Sequence, residues 1–436
     1  MKWLDEAVAC ASATTPAHPS RVAVLDAVRA DRSGPVAAWL LQLADSDDPF
    51  VRRETLLLLQ SLVHDGPWPR AAEAATVRLT DPDEAVRREA ARLLVRAGRD
   101  DLAALAELTD PVARTALAEA LGGAVGHLRG DASASVRFLA HLETLRTAPP
   151  AHRPAVDAAL FADAREAGQH VEGMGERWGR VLYGLRRERH TYDVVARLLD
   201  DPATRDTGAG LARSACHAWR AAPVELVPLL VRHCGKGTGP AVAEALATAL
   251  ISEEAKRVHD AATARVTFTP YPKACGPRGG AGPSYDSASA AGLLAGRPMG
   301  IGRLTHASEV FRALLDEGPL TFRQAAQLYN LTFRRPGRTQ AVCAPLWLRH
   351  AGPRSLPGLL ALMVPHIADY AVGEYYLDAL ARMGHRALPV LPAVTAMIDR
   401  RTRIPVNDST RDGEMELDER LLRAALGARR AILTGG

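Results

Sequence analysis

The sequence predicts an all-α protein, an α-solenoid (α/α superhelix) of stacked helical pairs with one Gly/Pro-rich insertion. The first observation is a repeat: the stretch that begins at Asp48 matches the stretch that begins at Asp83 at a fixed offset of 35 residues. Such a period is typical of stacked helical repeats, because one helical pair cannot bury its own apolar face alone. The second observation is composition, since 47% of the residues are hydrophobic but only 5% are aromatic. A core of Ala, Leu and Val favours helices.

The two matching stretches have the pattern of amphipathic helices. From Val51 and from Val86, apolar or small residues recur at i, i+4, i+7, i+8 and i+11, which places them on one helical stripe. Asp48 and Asp83 lie three residues before each stripe, where a short carboxylate can cap the amide hydrogens of a helix start. Two helical pairs are therefore predicted, over residues 35–43 with 49–63 and over residues 69–79 with 82–95.

At these residues the chain resembles the HEAT-repeat family, whose second helix commonly begins with Asp, then Val-Arg, a small residue and paired leucines. The resemblance covers about residues 34–97, with weaker matches at 98–147 and 373–399. In that family the Asp and Arg form a ladder between adjacent repeats. The resemblance therefore implies a structural role for four residues: Asp48, Arg52, Asp83 and Arg87.

Four segments are expected along the chain. They are N-terminal HEAT-like repeats over 1–150, degenerate helical repeats over 151–265, a Gly/Pro-rich loop or linker over 266–303, and C-terminal helical repeats with a terminal helix over 304–436. The third segment contains 8 Gly and 5 Pro, which no helix could contain. A functional loop and a linker remain equal alternatives for it.

The C-terminal segment has its own expected order. Helices are predicted over residues 307–315, 322–331, 356–367, 375–383 and 390–398. An acidic, turn-rich segment over 405–419 then leads into a final helix at about residues 421–433.

Composition and cysteine usage limit the classes of protein to which this chain can belong. The basic residues are 50 Arg and 4 Lys, a bias that most simply reflects a GC-rich bacterial genome. The 5 Cys are scattered and odd in number, so no disulfide framework is implied and a reducing compartment fits. The N-terminus carries acids where a signal peptide needs an apolar core, and no apolar run reaches the roughly 18 residues of a membrane span. We expect a cytoplasmic protein without a membrane segment.

One stretch of the chain is strongly basic. Residues 261–367 hold 12 basic residues against four acids, whereas the whole chain has a net charge of +4. Four aromatic residues lie among these arginines: Phe322, Tyr329, Phe333 and Trp347. Such interleaving suits a surface that contacts phosphates and stacks on bases. The alternative is that the aromatics belong to the core and the arginines form a solvated face in an Arg-rich chain. The candidates for binding nucleic acid or another anion are Arg323, Arg334, Arg335, Arg338 and Arg349.

Two mirror pairs raise the question of a metal site. Cys216-His217 and His233-Cys234 would offer two thiolates and two imidazoles for tetrahedral zinc if two antiparallel helices brought them together. Adjacent residues on a helix diverge by about 100°, however, so both members of a pair can hardly face one ion. Buried Cys and half-exposed His are the favoured interpretation, and no metal ligand is predicted.

No sequence pattern nominates catalytic chemistry. The stretch from Gly235 to Thr238 resembles a phosphate loop only superficially, because Leu230 stands where its first Gly is needed and no strand precedes it. Zincin, EF-hand and nucleophile-elbow patterns are absent from the sequence. We therefore predict no catalytic residue and no cofactor, and an enzyme is not favoured.

The predicted function is a binding scaffold whose solenoid surface engages a protein partner. This inference rests on the fold, which by itself says little about one chain's activity. The alternative is a nucleic-acid-binding protein, including a HEAT-like DNA glycosylase, that uses the basic 261–367 region. Against the glycosylase, no acid and aromatic pair with a family spacing can be nominated. A third class, a repeat-type lyase or a chaperone for a cofactor, is selected by no feature of the sequence.

Overall fold

The computed structural model describes residues 19–98, 108, 110–167, 173–235, 239–263, 307–333, 337–404 and 410–435. Within these ranges the chain forms α-helices joined by short turns and 3-10 helices, and it contains no strand. Trp219 and Thr402 form an isolated antiparallel bridge. The prediction of an all-α protein is therefore confirmed. The Gly/Pro-rich segment predicted over 266–303 lies outside the described residues.

The chain divides into two units, Met1–Leu211 and Ala212–Gly436. The boundaries expected at residues 150, 265 and 303 stay predictions. The helices of the first unit are α1 Pro19–Ala30, α2 Pro35–Leu43, α3 Pro49–His64, α4 Pro69–Arg78, α5 Glu84–Arg96, α6 Pro111–Leu121, α7 Ala134–Thr147, α8 Arg153–Ala167, α9 Met174–Gly184 and α10 Glu188–Asp200. Helix α11, Arg205–Ala218, crosses the boundary between the two units.

The starts of α2 to α5 follow from local chemistry. Pro35, Pro49 and Pro69 each stand at the first position of a helix, where the missing amide costs nothing. The Asp48 carboxylate accepts a hydrogen bond from the Phe50 amide at 2.9 Å, and the Asp83 carboxylate accepts one from the Val86 amide at 3.1 Å. Both acids thus satisfy amide groups that lack a partner within the helix.

The helices of the first unit stack in sequence order. Helices α1, α3 and α5 pack each on the next, α2 and α4 lie against them, and α5, α6, α7 and α8 continue the series. One apolar cluster runs through the first six of these helices, and its members are mainly Leu, Val and Ala, from Val24 to Leu117. Each pair therefore buries its apolar face on its neighbours, as a solenoid requires.

A ladder of arginines ties successive repeats of the first unit together. Arg52 donates from Nε and Nη2 to the two carboxylate oxygens of Asp81, both at 2.8 Å. Three further pairs recur along the unit: Arg87 with Asp110, Arg114 with Asp131, and Arg137 with Asp163. The carboxylate that receives Arg52 is that of Asp81 and not that of the capping Asp83.

Each ladder arginine also binds the turn before its own helix. The Nη1 groups of Arg52, Arg87, Arg114 and Arg137 donate to the carbonyl oxygen six residues earlier, at 2.7 to 3.0 Å. One guanidinium therefore fixes the turn of its own repeat while pairing with an acid of the next. A purely structural role for Asp48, Arg52, Asp83 and Arg87 remains the expectation from the sequence.

Close contact between α9 and α11 depends on a glycine. A methyl group at Gly175 would stand 2.2 Å from the Thr207 carbonyl oxygen and 2.4 Å from the Leu211 amide nitrogen. Both are backbone atoms, which cannot rotate away as a side chain would. The two helices can approach this closely only because the position carries no side chain.

We expect Gly175→Ala to lower the free energy of unfolding by about 1–3 kcal/mol, because the added methyl forces backbone atoms apart. Urea denaturation followed by circular dichroism would measure the change. Gly184→Ala is the matched control: it lies in the same helix, and a methyl there meets nothing within 4 Å. That control should leave stability unchanged or slightly raised. Equal denaturation midpoints for the two variants would contradict the prediction.

The second unit contains the remaining helices. They are α12 Ala222–His233, α13 Pro240–Ala249, α14 Glu253–Thr263, α15 Ala307–Glu317, α16 Phe322–Phe333, α17 Arg338–Ala351, α18 Leu356–Met363, α19 Gly373–Met383, α20 Leu391–Ile398 and α21 Arg411–Thr434. Helices α15, α17, α19 and α21 form a row in which each packs on the next, and α16 and α20 flank it.

The final helix corrects one prediction. A turn-rich segment was expected over residues 405–419, yet α21 begins at Arg411. Thr410 caps the helix through its hydroxyl, which accepts a hydrogen bond from the Gly413 amide at 3.1 Å, and Asp412 and Glu414 lie in the first turn. Acids there face the positive end of the helix dipole. From Arg411 onward the acidic composition therefore marks a helix and not a turn, while residues 405–409 of the expected segment lie outside the described residues.

A buried group of charged side chains ties α21 to the start of the second unit. Asp418 on α21 is fully buried and accepts hydrogen bonds from Arg220 at 2.7 and 2.9 Å and from Arg403 at 3.0 Å. Arg403 also pairs with Glu419 at 2.9 Å. The guanidinium groups donate further to backbone, Arg220 to the Met397 carbonyl at 2.6 Å and Arg403 to the Cys216 carbonyl at 2.7 Å. Asp418, Arg220 and Arg403 thus each have several partners, as buried charges require. The buried Nη2 of Arg403 has no hydrogen-bond partner among the described residues.

Candidate functional site

A pocket opens in the second unit among the helices α15, α17 and α19. Its volume is about 540 Å³, which lies within the usual range of ligand sites. Five charged side chains line it: Glu309 and Arg312 from α15, Arg338 from α17, and Asp378 and Arg382 from α19. We call this site the arginine pocket.

The apolar stripes of the helices explain why these charges face the pocket. On α15 the buried positions are Ala307, Val310, Phe311, Leu314 and Leu315. Glu309 and Arg312, three residues apart, therefore share another face. On α19 the buried positions are Tyr376, Leu377, Ala379, Leu380 and Met383, together with Gly373. Asp378 and Arg382 are four residues apart and remain exposed on one face.

The charges of the arginine pocket differ in how they are engaged. The Arg338 guanidinium lies over the Tyr375 ring, 4.9 Å from its centroid, a cation–π contact that holds its orientation. Arg312, Arg382 and Asp378 make no hydrogen bond or ion pair with any residue that the structure describes. Within the described part of the chain, exposed charges of both signs are therefore available to a ligand.

The thiol that lines the pocket is not a nucleophile. Cys343 is buried, and burial raises the pKa of its thiol to about 12. A thiol with such a pKa stays protonated near neutral pH, whereas only the thiolate attacks. The chemistry that the pocket offers is recognition of charged groups by guanidinium and carboxylate, with the hydroxyls of Ser308 and Thr339 beside them.

The arginines nominated from the sequence fall in different places. Arg338 lines the pocket, whereas Arg323 is exposed on α16. Arg349 donates to Asp316 at 2.5 Å and to the Leu315 carbonyl at 2.9 Å, so its guanidinium is engaged within the chain. Arg334 and Arg335 lie outside the described residues. An anion-binding role for these five arginines stays a prediction.

The aromatic residues among them mostly pack on one another. Tyr329, Phe333 and Trp347 have ring centroids 4.7 to 5.9 Å apart, and Phe333 and Trp347 contact the core of the second unit. Phe322, at the start of α16, is 91% exposed. Packing within the unit therefore accounts for three of the four aromatics that the sequence placed among the arginines.

The mirror Cys/His pairs do not form a metal site in the described residues, which contain no group of three or more potential ligands. Cys216 is buried, and burial raises its pKa to about 12. His217 lies 2.6 Å from Asp412, and burial lowers the pKa of this imidazole despite that carboxylate. Cys234 is exposed, contrary to the expectation of a buried thiol, because it follows the last residue of α12. Residues 236–238 of the supposed phosphate loop lie outside the described residues.

The sequence predicts no membrane segment. Among the described helices, none combines the length and the apolar character needed to cross a bilayer.

Comparison with known proteins gives only weak similarity. No protein-family model matches the chain, and no curated protein matches it. Among solved structures, Kap121p bound to RanGTP is 12% identical with a TM-score of 0.33, over 99% of this chain and 44% of that one. Kap121p bound to Pho4p is 11% identical with a TM-score of 0.32, over 99% of this chain and 50% of that one. The chain spans about half the length of these structures, and similarity this low carries no functional inference.

The sequence did not single out most of the arginine pocket. Arg312 lies in the basic stretch but is not among the nominated arginines, and Tyr375, Asp378 and Arg382 lie outside that stretch. The local signal was the pairing of opposite charges on one helix face, Glu309 with Arg312 and Asp378 with Arg382. Nothing in the sequence indicates that the two faces meet, because Arg312 and Arg382 lie on different helices, 70 residues apart.

Proposed function

We propose that this protein is a binding scaffold and that a partner protein docks on α15, α17 and α19 over the arginine pocket. The observation that carries this proposal is the state of Arg312 and Arg382, which line one pocket, are exposed, and have no partner among the described residues. Arginine is enriched at protein interfaces, since its planar guanidinium binds carboxylates with two hydrogen bonds and stacks on aromatic rings.

The contrast with the ladder arginines supports the proposal. Arg52, Arg87, Arg114 and Arg137 are each occupied by an acid of the neighbouring repeat and by their own turn. Their hydrogen-bonding groups are thus engaged within the chain. Arg312 and Arg382 perform no such role in the described chain, so their charge and hydrogen bonds are available for recognition of another molecule.

The described arginines do not favour the nucleic-acid alternative or, with it, a DNA glycosylase. Arg349 is paired within the chain, and Glu309 and Asp378 stand beside the pocket arginines. Those carboxylates would repel a polyanion. The cytoplasmic location and the bacterial origin remain predictions from the sequence.

We expect affinity capture with the full chain to recover a defined protein whose yield is unchanged by nuclease treatment, because direct contact between proteins needs no nucleic acid. Mass spectrometry would identify the partner, and capture with the double variant R312E/R382E would serve as the matched control. Loss of all captured protein upon nuclease treatment would contradict the scaffold. Retention of the partner by the variant would place the interface elsewhere on the chain.

A further inference from the structure

We propose that the arginine pocket recognises a protein segment carrying neighbouring acidic and basic side chains, with the acidic group bound between Arg312 and Arg382 and the basic group beside Asp378. This inference rests on the proposed scaffold function and names the chemistry of its partner. The acidic group is an oxyanion, either a carboxylate or a phosphoryl group, since a guanidinium pairs with both in the same forked geometry.

The balance of charge in the pocket favours mixed charge over a polyanion. Three arginines and two acids line it, so the excess is a single positive charge. A run of acidic side chains or phosphates would place negative charge against Asp378 and Glu309, which disfavours the wrong ligand by repulsion. A segment with both signs satisfies arginine and aspartate together.

The positions of Asp378 and Arg382 support this choice. Opposite charges four residues apart on a helix commonly pair with each other. Here neither side chain has a hydrogen-bond or ion-pair partner in the described part of the chain, although both line the same pocket. Two opposite charges that are open and adjacent form a template for a ligand with the complementary pair.

Arg338 supplies the orientation. Its guanidinium lies 4.9 Å from the centroid of the Tyr375 ring, a contact that restricts its orientation, and it adds a positive group to the pocket from α17. A pre-positioned donor loses less conformational freedom when the ligand binds than a free side chain does. The volume of about 540 Å³ accepts a few side chains of a segment and not a folded domain.

The test uses the full chain and four fluorescein-labelled probes of equal length: a capped peptide of alternating Glu and Lys, an all-Glu peptide, an all-Lys peptide and single-stranded oligothymidine. Fluorescence anisotropy gives each Kd. We expect the alternating peptide to bind most tightly. R312A/R382A should weaken it roughly 10- to 100-fold, the range for lost hydrogen bonds to charged groups.

Asp378→Asn separates this inference from simple attraction of anions. This variant should weaken binding of the alternating peptide, because it removes the carboxylate that pairs with Lys. It should strengthen binding of the all-Glu peptide, because it removes the carboxylate that repels Glu. Arg430→Ala is the matched control, since Arg430 is exposed in the same unit and does not line the pocket. It should change neither Kd.

Tighter binding of the all-Glu peptide or of oligothymidine to the unchanged chain would overturn the inference, as would failure of the alternating peptide to bind at millimolar concentration. Equal Kd values for the unchanged chain and R312A/R382A would also overturn it. A phosphoserine in place of one Glu in the alternating peptide distinguishes the two sources of oxyanion. If a partner captured from cells binds the pocket variants as well as it binds the unchanged chain, this inference is wrong, whereas the proposed scaffold function still holds.

Discussion

Replacing Asp418 with Ala should lower the free energy of unfolding of the second unit by about 3–5 kcal/mol, the cost of breaking a buried ion pair. The Asp418 side chain is 0% exposed, and those of Arg220 and Arg403 are 7% and 5% exposed. Removal of the carboxylate leaves two guanidinium groups buried, and among the described residues Glu419 and backbone carbonyls remain as their partners. It also removes the acceptor of the Ile404 amide.

Urea denaturation and hydrogen exchange of the α21 amides would measure this loss. Glu374→Ala is the matched control, because Glu374 pairs with Arg420 of the same helix α21 on the surface. An exposed pair of this kind contributes no more than about 1 kcal/mol. Equal losses for the two variants would contradict a special role for the buried group.

The same group makes the stability of the second unit depend on pH. Burial alone favours the protonated carboxyl, but the hydrogen bonds and charges of Arg220 and Arg403 hold the pKa of Asp418 below its ordinary value. The stabilisation is therefore fully present above the unfolded pKa, about 3.9, and is lost as pH falls through the folded value. The stability difference between the unchanged chain and Asp418→Asn should shrink in acid.

Asp81→Ala should destabilise the first unit by a similar amount, about 3–5 kcal/mol. Asp81 is fully buried and receives both hydrogen bonds of the Arg52 fork. It also accepts the Asp83 amide at 3.0 Å, so the variant loses the link between repeats and the turn before α5. Denaturation by urea, followed by circular dichroism, is again the measurement.

Asp65→Ala provides the comparison in the same unit, because Asp65 pairs with Arg29 in an exposed position. Solvent screens such a pair, so its loss should hardly alter stability. If Asp81→Ala unfolds at the same urea concentration as Asp65→Ala, the ladder does not hold the repeats together.

The helices of the early repeats can be predicted because the residues that determine where they begin lie close to them in the sequence. Proline at a helix start, aspartate before an apolar stripe and the 35-residue offset all act within one or two turns of chain, and α2, α3 and α4 begin at Pro35, Pro49 and Pro69 as expected. Helix α17 was not predicted, since Pro345 lies inside it and proline normally ends a helix.

The buried charged group and the arginine pocket could not be predicted from the sequence, and the reason is the same for both. Arg220 and Asp418 are 198 residues apart, and no local spacing indicates that one neutralises the other. From the sequence alone, Asp418 is one of several acids in a polar segment. The arginines that neutralise it lie earlier in the chain. The pocket likewise joins faces of α15 and α19 that only packing on α17 brings together.

Photo-crosslinking tests the central claim most directly, namely that a partner protein docks over the arginine pocket. A p-benzoylphenylalanine in place of Ser308, which lines the pocket, should crosslink the captured partner, and the crosslink should disappear in the R312E/R382E background. The same group in place of the exposed Arg430 should give no crosslink. A partner that crosslinks from position 430 and not from position 308 would contradict the account.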